Sequence, residues 1–155
     1  MPNQYLRLKK AGVDVGIINL QHFKQTSISR FTTANSQAVT TGFQGYLTPA
    51  DGFAQLRQRL QKLKNRGKSF TFMYIPNPDT SAHRYGPLSS SYRAEIAAID
   101  FAMQRELLEP LKNRRNLVLL FTADHGQRLT SAEKTLWLND HPELTQMLFV
   151  AVTGQ

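Results

Sequence analysis

The sequence predicts an α/β domain, a layered sandwich built on a largely parallel sheet. Three observations carry this reading. Short apolar runs at 13–20, 69–75 and 117–121 are rich in β-branched and aromatic residues, the composition of buried strands. Two longer segments, 48–63 and 89–112, repeat apolar residues at helical spacing. Strands that alternate with helices along one chain favour parallel pairing through helical crossovers.

The elements follow in order. Residues 4–10 read as a short helix ending at Gly12, with Lys9 and Lys10 in its last turn. The run 13–20 is the first strand. Residues 22–44 are rich in Ser, Thr, Gln and Asn and read as loop, with 42–46 as a turn region. His22, Ser27, Ser29, Thr32, Thr33 and Ser36 lie in this loop, and no spacing among them singles out a nucleophile. Thr48-Pro49-Ala50-Asp51 is a helix start: Thr caps, Pro suits the first turn and Asp suits the positive end. Phe53, Leu56, Leu60 and Leu63 then form one apolar stripe, and Asn65-Arg66-Gly67 ends the helix.

Residues 69–75 are the next strand, stopped by Pro76 and Pro78, which cannot donate to a central ladder. Residues 77–87 read as a loop. A long helix spans 89–112, its buried face marked by Tyr92, Ile96, Ile99, Met103, Leu107 and Leu111. Pro110 weakens its last turn. Residues 117–121 are a strand that ends abruptly in Asp124-His125-Gly126. A short helix starts at 130–133, a cap falls at 139–143, and the apolar run 147–152 reads as a final strand.

Composition bounds the function. The 155 residues are 41% hydrophobic, enough for a core and too apolar for a disordered chain. No apolar run is long enough to span a bilayer. Residues 1–10 are polar and basic, unlike a secretory signal, so the default expectation is a cytoplasmic protein. The absence of cysteine excludes disulfides, thiolate zinc sites and cysteine nucleophiles. Nineteen basic against eleven acidic residues give a formal charge of +8. That balance suits anionic partners, although spread-out basic residues equally suit a solvated surface. The chain has no Gly-x-Ser-x-Gly elbow, no Gly-rich phosphate loop and no basic-aromatic platform for nucleic acid.

The chemistry concentrates at two strand ends. Asp79 and His83 follow the strand ending at Ile75, and Asp124 and His125 follow the strand ending at Phe121. Carboxylate oxygen and imidazole nitrogen are ligands for zinc and similar divalent ions. In open α/β sheets ligands bind beyond the carboxyl ends of the strands. Adjacent residues on a strand point apart, so Asp124 and His125 converge only if the chain turns, which Gly126 permits. Taken singly, Asp79 beside Pro78 also suits an Asx turn, and Asp124 a turn cap.

The segment Tyr74-Ile75-Pro76-Asn77-Pro78-Asp79-Thr80-Ser81-Ala82-His83-Arg84-Tyr85-Gly86-Pro87, then Ser89, Tyr92, Ile99-Asp100 and Thr122-Ala123-Asp124-His125-Gly126, resembles the type I phosphodiesterase/nucleotide pyrophosphatase family. That family belongs to the alkaline phosphatase superfamily. The resemblance covers residues 70–126. It implies an alkaline-phosphatase-like sandwich with two divalent metal ions, zinc before manganese, at the carboxyl ends of the strands. It matches Asp79 and His83 to ligands of one ion, and Asp124 and His125 to ligands of the other. It implies hydrolysis of phosphate esters, nucleotides among them, through a covalent Ser/Thr phospho-enzyme.

Ala82 stands where the family has Gly. The family's upstream nucleophile and Asp-Gly motif, and its downstream His ligand, have no match, since Asp51-Gly52 heads an ordinary helix and His141 lies too close. No catalytic residue is therefore assigned. Residues 1–155 are expected to be a single, partial catalytic domain that binds metal weakly and turns over little, if at all. Its uncovered sheet edges favour self-association. The alternative is a non-enzymatic superfamily relative, a binding module for an anionic partner.

Overall fold

The structure is a computed structural model that describes residues 4–26, 29, 42–63 and 67–153. It divides into two compact units, Met1–His125 and Gly126–Gln155.

The first unit is α/β, as the sequence predicts. In chain order the described elements are α1 (Gln4–Lys10), β1 (Asp14–Leu20), a 3-10 turn (Gln21–Gln25), β2 (Phe43–Tyr46), α2 (Pro49–Lys62), β3 (Ser69–Met73), α3 (Asn77–Tyr85) and α4 (Ser90–Met103). Among the described residues the strands form one parallel sheet in the order β2-β1-β3. Leu20 pairs with Tyr46, and Ile18 with Met73. All three strands therefore end at the same sheet edge. The Tyr74 amide extends the ladder by donating to the Ile18 carbonyl at 3.1 Å.

One face of this sheet carries the core. Ile18 and Tyr46 are fully buried against Phe53, Leu56 and Leu60 of α2, with Ala102, Leu107 and Leu111 on the long helix. The predicted stripe on α2 is buried throughout. The Thr48 hydroxyl accepts from the Asp51 amide at 3.3 Å, and the Asp51 carboxylate accepts from the Leu47 amide at 3.0 Å. This reciprocal cap satisfies two orphan donors. Close packing of helix on sheet depends on Gly52. A Cβ there would stand 3.1 Å from the Tyr46 ring and 2.6 Å from Met73 Cε. Gly52→Val is expected to destabilise the unit by about 2–3 kcal/mol through overpacking, read as a lower urea midpoint by circular dichroism.

Arg59 crosses the sheet from α2. Its guanidinium meets the Asp14 carboxylate and donates to Thr71 Oγ1 at 3.0 Å. It occupies the space that a side chain at position 16 would need, so Gly16 makes room for it. Arg114 Nη1 donates to the Leu60 carbonyl at 2.6 Å, satisfying one of the orphan acceptors at the end of α2.

The long helix starts where predicted, with the Ser89 hydroxyl accepting from the Tyr92 amide at 3.2 Å. It is not uniform. Residues Gln104–Leu108 form a π-turn, followed by one α-turn at Glu109–Leu111. Pro110 has no N–H to give an α-helical ladder, and a π-turn immediately before it absorbs the break. Leu107 and Leu111 are buried as expected, but Ile96 is exposed.

Four expectations are corrected. Residues 43–46, read as a turn, form β2; short strands with one Gly carry a weak signal. Residues 77–85, read as loop, form α3, because Pro78 suits a first turn, Asp79 suits its positive end and Gly86 at φ 89° closes it. Residues 117–121 run without regular pairing: Leu117 and Leu119 pack on the core, but the backbone joins no strand. Apolar alternation fixes which face is buried, and pairing needs a neighbour's edge as well.

The fourth correction lies in the second unit, where the predicted strand 147–152 belongs to a helix, α5 (Pro142–Thr153). Short apolar runs do not distinguish strand from buried helix. Pro142 at the start, Glu143 in the first turn and the His141 carbonyl accepting from Leu144 and Thr145 decide for helix. Two 3-10 turns, Ala132–Lys134 and Leu138–Asp140, precede it. Among the described residues no helix is long and apolar enough to cross a membrane. Of the polar loop, Ser27, Thr32, Thr33 and Ser36 lie outside the described residues.

Candidate functional site

The site lies past the carboxyl end of β3. Tyr74, Ile75 and Pro76 carry the chain out of the sheet, and α3 begins at once. On a helix, residues four apart share a face. Asp79 and His83 therefore stand one turn apart, with Nε2 of His83 3.5 Å from Oδ1 of Asp79. Helix formation, and not the loop expected from the prolines, is what brings this pair together.

The second pair comes from the chain after Phe121. The His125 amide donates to Asp124 Oδ1 at 3.1 Å, so the carboxylate folds back along its own backbone. The chain bends at Asp124, and Gly126 does not take a positive φ. Nε2 of His125 stands 3.8 Å from Asp124 Oδ2 and 3.8 Å from Asp79 Oδ1. Asp79 is thus approached by two imidazoles, one from its own helix and one from a segment more than forty residues later. All four residues named from the sequence belong to one cluster of near contacts.

These separations are too long for strong hydrogen bonds. Donor atoms on one tetrahedral ion, each at ~2.0–2.2 Å, lie roughly 3.3–3.6 Å from one another. The pairs approach that spacing and have the right chemistry. Among the described residues, however, no group of three or more His, Asp or Glu side chains is arranged to hold a metal ion. The donor types fit a divalent ion, while the set stays open. Asp79 is the most sheltered of the four at 39% side-chain exposure, against 79% for His83 and 78% for Asp124.

Two further residues belong here that sequence reasoning missed. Burial first, then the Asp124 and Asp79 carboxylates, push the Tyr74 phenol above its ordinary pKa of 10.0. The group is a neutral hydroxyl at physiological pH, next to both acidic residues. In the sequence it reads only as a strand aromatic. The second is Asn77, two residues before Asp79, whose buried Oδ1 has no hydrogen-bond partner among the described residues. An amide oxygen of this kind is a suitable ligand type for a hard cation, although residues two apart on a helix lie on different faces. Removing the two charges checks the electrostatic picture: D79N/D124N is expected to lower the Tyr74 pKa toward 10, read by ultraviolet titration against Y74F.

A family model described as type I phosphodiesterase/nucleotide pyrophosphatase matches residues 5–153. The chain is 34% identical over 86 residues to human ectonucleotide pyrophosphatase/phosphodiesterase family member 1, covering 54% of this chain and 9% of that protein. It is 31% identical over 102 residues to rat family member 3, covering 62% and 11%. With the venom phosphodiesterase of Naja atra it shares 32% identity over 83 residues, covering 50% and 10%. The matched region therefore spans about a tenth of the length of these relatives. No solved structure matches the chain. A match across nearly the whole chain, carried on a parallel α/β sheet, places this chain in the type I phosphodiesterase/nucleotide pyrophosphatase family.

Proposed function

We propose that this chain carries the two metal half-sites of a phosphodiesterase or nucleotide pyrophosphatase that hydrolyses phosphate esters through a Ser/Thr phospho-enzyme. The observation that supports this most is the meeting of Asp79 with both His83 and His125. Asp79 and His83 would hold one divalent ion, zinc before manganese, and Asp124 and His125 a second. Bound there, such ions supply Lewis acidity and lower the pKa of an attacking hydroxyl. The chain's own residues set the stage. Asp79 stands close to two imidazoles at once and can orient both rings. Tyr74 keeps its proton and can donate to a phosphoryl oxygen that enters between the carboxylates. With two protein ligands for each ion, where catalytic zinc commonly has about three, binding in the isolated chain is weak and turnover slight.

Zinc titration by calorimetry tests this reading. The chain is expected to bind zinc, and H83A and H125A are each expected to weaken binding by about 10-fold or more. Bis(p-nitrophenyl) phosphate should be hydrolysed barely above the metal-only rate. Zinc binding that ignores both substitutions sinks the reading. The absence of binding in the parent chain sinks it too, and turns attention to the non-enzymatic module.

A further inference from the structure

The parallel strands give the first unit two edges of different chemistry. At the carboxyl edge lie Tyr74 and the cluster around Asp79. The amino edge gathers cations from four separate stretches of chain. Lys9 and Lys10 close α1, which turns directly into β1, the Val13 amide donating to the Leu8 carbonyl at 3.0 Å. Lys68 lies beside the start of β1, its carbonyl accepting from the Asp14 amide at 2.9 Å. Lys62 ends α2, just beyond the Arg59 that meets Asp14. Lys112 and Arg115 stand on either side of Arg114, whose bond to the Leu60 carbonyl ties the end of the long helix to the end of α2. All of these lysines, and Arg115, are exposed.

Carboxylates do not offset this charge. Asp14, Glu106 and Glu109 lie toward the same edge, and each is already engaged: Asp14 by Arg59, Glu106 by Arg57 at 2.9 Å and Glu109 by Lys112 at 3.4 Å. A cation at a helix end offsets the macrodipole, which accounts for Lys9, Lys10 and Lys62. That account does not reach Lys68, which precedes a strand, or Arg115, which follows the last helical turn. The carboxyl edge carries Asp51, Asp79 and Asp124 with Lys24 and Arg84, so the formal charge of +8 is unevenly placed.

We propose that the amino edge of the sheet is a docking face for the phosphate headgroups of an acidic lipid bilayer. The arrangement of the charge selects this partner. Duplex nucleic acid takes an element laid in a groove, and single strands take aromatic side chains along a basic channel. Here the cations sit at the ends of several elements, spread over a face, and none has an aromatic neighbour in the sequence. A bilayer presents a plane of phosphates that is read by charge alone, and each Lys or Arg near it strengthens binding about 5-fold. The strands run from this edge toward Asp79 and His125, so a docked chain holds its candidate site toward solution. Docking of this kind needs no metal and is independent of the phosphodiesterase reading.

Co-sedimentation of the full chain with lipid vesicles tests this. Vesicles of phosphatidylserine and phosphatidylcholine in equal parts are expected to bind it, and vesicles of phosphatidylcholine alone are not. K62Q/K68Q/R115Q is expected to weaken binding to the acidic vesicles by about 100-fold, three losses of ~5-fold combined. K24Q/R93Q/K134Q removes the same charge from exposed residues elsewhere and is expected to weaken it by less than about 5-fold. Melting curves check that both triple variants fold. If the first melts early, the single changes K62Q and R115Q carry the test, each expected to cost about 5-fold. Equal losses for the two triple variants, or equal binding to both kinds of vesicle, overturn the docking face. So does absence of binding to acidic vesicles at low ionic strength, where screening is least. Duplex DNA that displaces the chain from acidic vesicles at equal phosphate concentration assigns the edge to nucleic acid and overturns the lipid partner.

Discussion

Tyr46→Ala is expected to unfold the first unit at room temperature, or to leave it within about 1–2 kcal/mol of unfolding. Tyr46 is fully buried, lies at the carboxyl end of β2 and packs on Gly52 of α2. Its hydroxyl donates to the Tyr74 carbonyl at 2.7 Å, across the strand that separates them. Losing a buried aromatic costs ~3–5 kcal/mol in transfer and cavity terms. Losing the hydrogen bond costs ~1 kcal/mol more and strands a carbonyl. Tyr46→Phe isolates the second contribution, with a loss of about 1–2 kcal/mol expected. Urea unfolding followed by far-ultraviolet circular dichroism measures both. The single tryptophan, Trp137, belongs to the second unit, so its fluorescence is the wrong probe. An unchanged midpoint for Tyr46→Ala would contradict the core described here.

The same residue sets an alkaline limit. Burial, and secondarily Tyr74, raise the Tyr46 phenol far above its ordinary 10.0. A raised pKa in the folded state means that the unfolded chain ionises first. The contribution to stability is therefore complete below about pH 10 and is lost as pH climbs from there toward the folded pKa. Tyr46→Phe should flatten that part of the pH–stability curve.

Asp79→Ala is expected to weaken zinc binding by about 100-fold or more, a larger effect than either histidine variant. The reason is position. His83 and His125 each approach Asp79, so its removal takes the common partner from both. Ligand-shell partners typically contribute 10–100-fold each, and a shared one sits at the top of that range. The fold should tolerate the change. Asp79 is partly exposed, and as a first-turn acid of α3 it contributes only ~0.3–1 kcal/mol through the helix dipole. Calorimetry and a parallel melting curve separate the two effects. Equal losses for Asp79→Ala and His83→Ala would show that the carboxylate is not shared.

Much of this was legible in the sequence, for physical reasons that can be named. α2 was readable because cap, first-turn proline, apolar stripe and terminator agree over one segment. β1 was readable because its buried stretch is an apolar run, and β3 because its aromatic content favours a strand. The four cluster residues were legible from their types and their place after apolar runs. Their geometry was not. The prolines around Asp79 suggested loop, whereas Pro78 in the first turn is compatible with a helix. Residues 117–121 have every local property of a strand and lack only a partner, which no local property records. Tyr74 escaped because its role comes from charges that arrive from elsewhere in the chain, and β2 because four residues with a glycine carry too little pattern.

The π-turn at Gln104–Leu108 bears on how the family's chains can change length. A π-turn amounts to one residue inserted into an α-helix, and each helical residue advances the helix by about 100°. Ile99 and Met103 before it, Leu107 within it and Leu111 after it still face one core, because the widened turn absorbs the extra residue locally. Deleting a single residue from the segment would restore a regular helix and leave the flanking apolar positions on one face, whereas keeping that residue in a regular helix would swing Leu111 by about 100°. Homologous chains aligned through this helix can therefore keep or lose the extra residue without re-spacing the apolar stripe, and a one-residue gap placed there marks a regularised turn on an unchanged core.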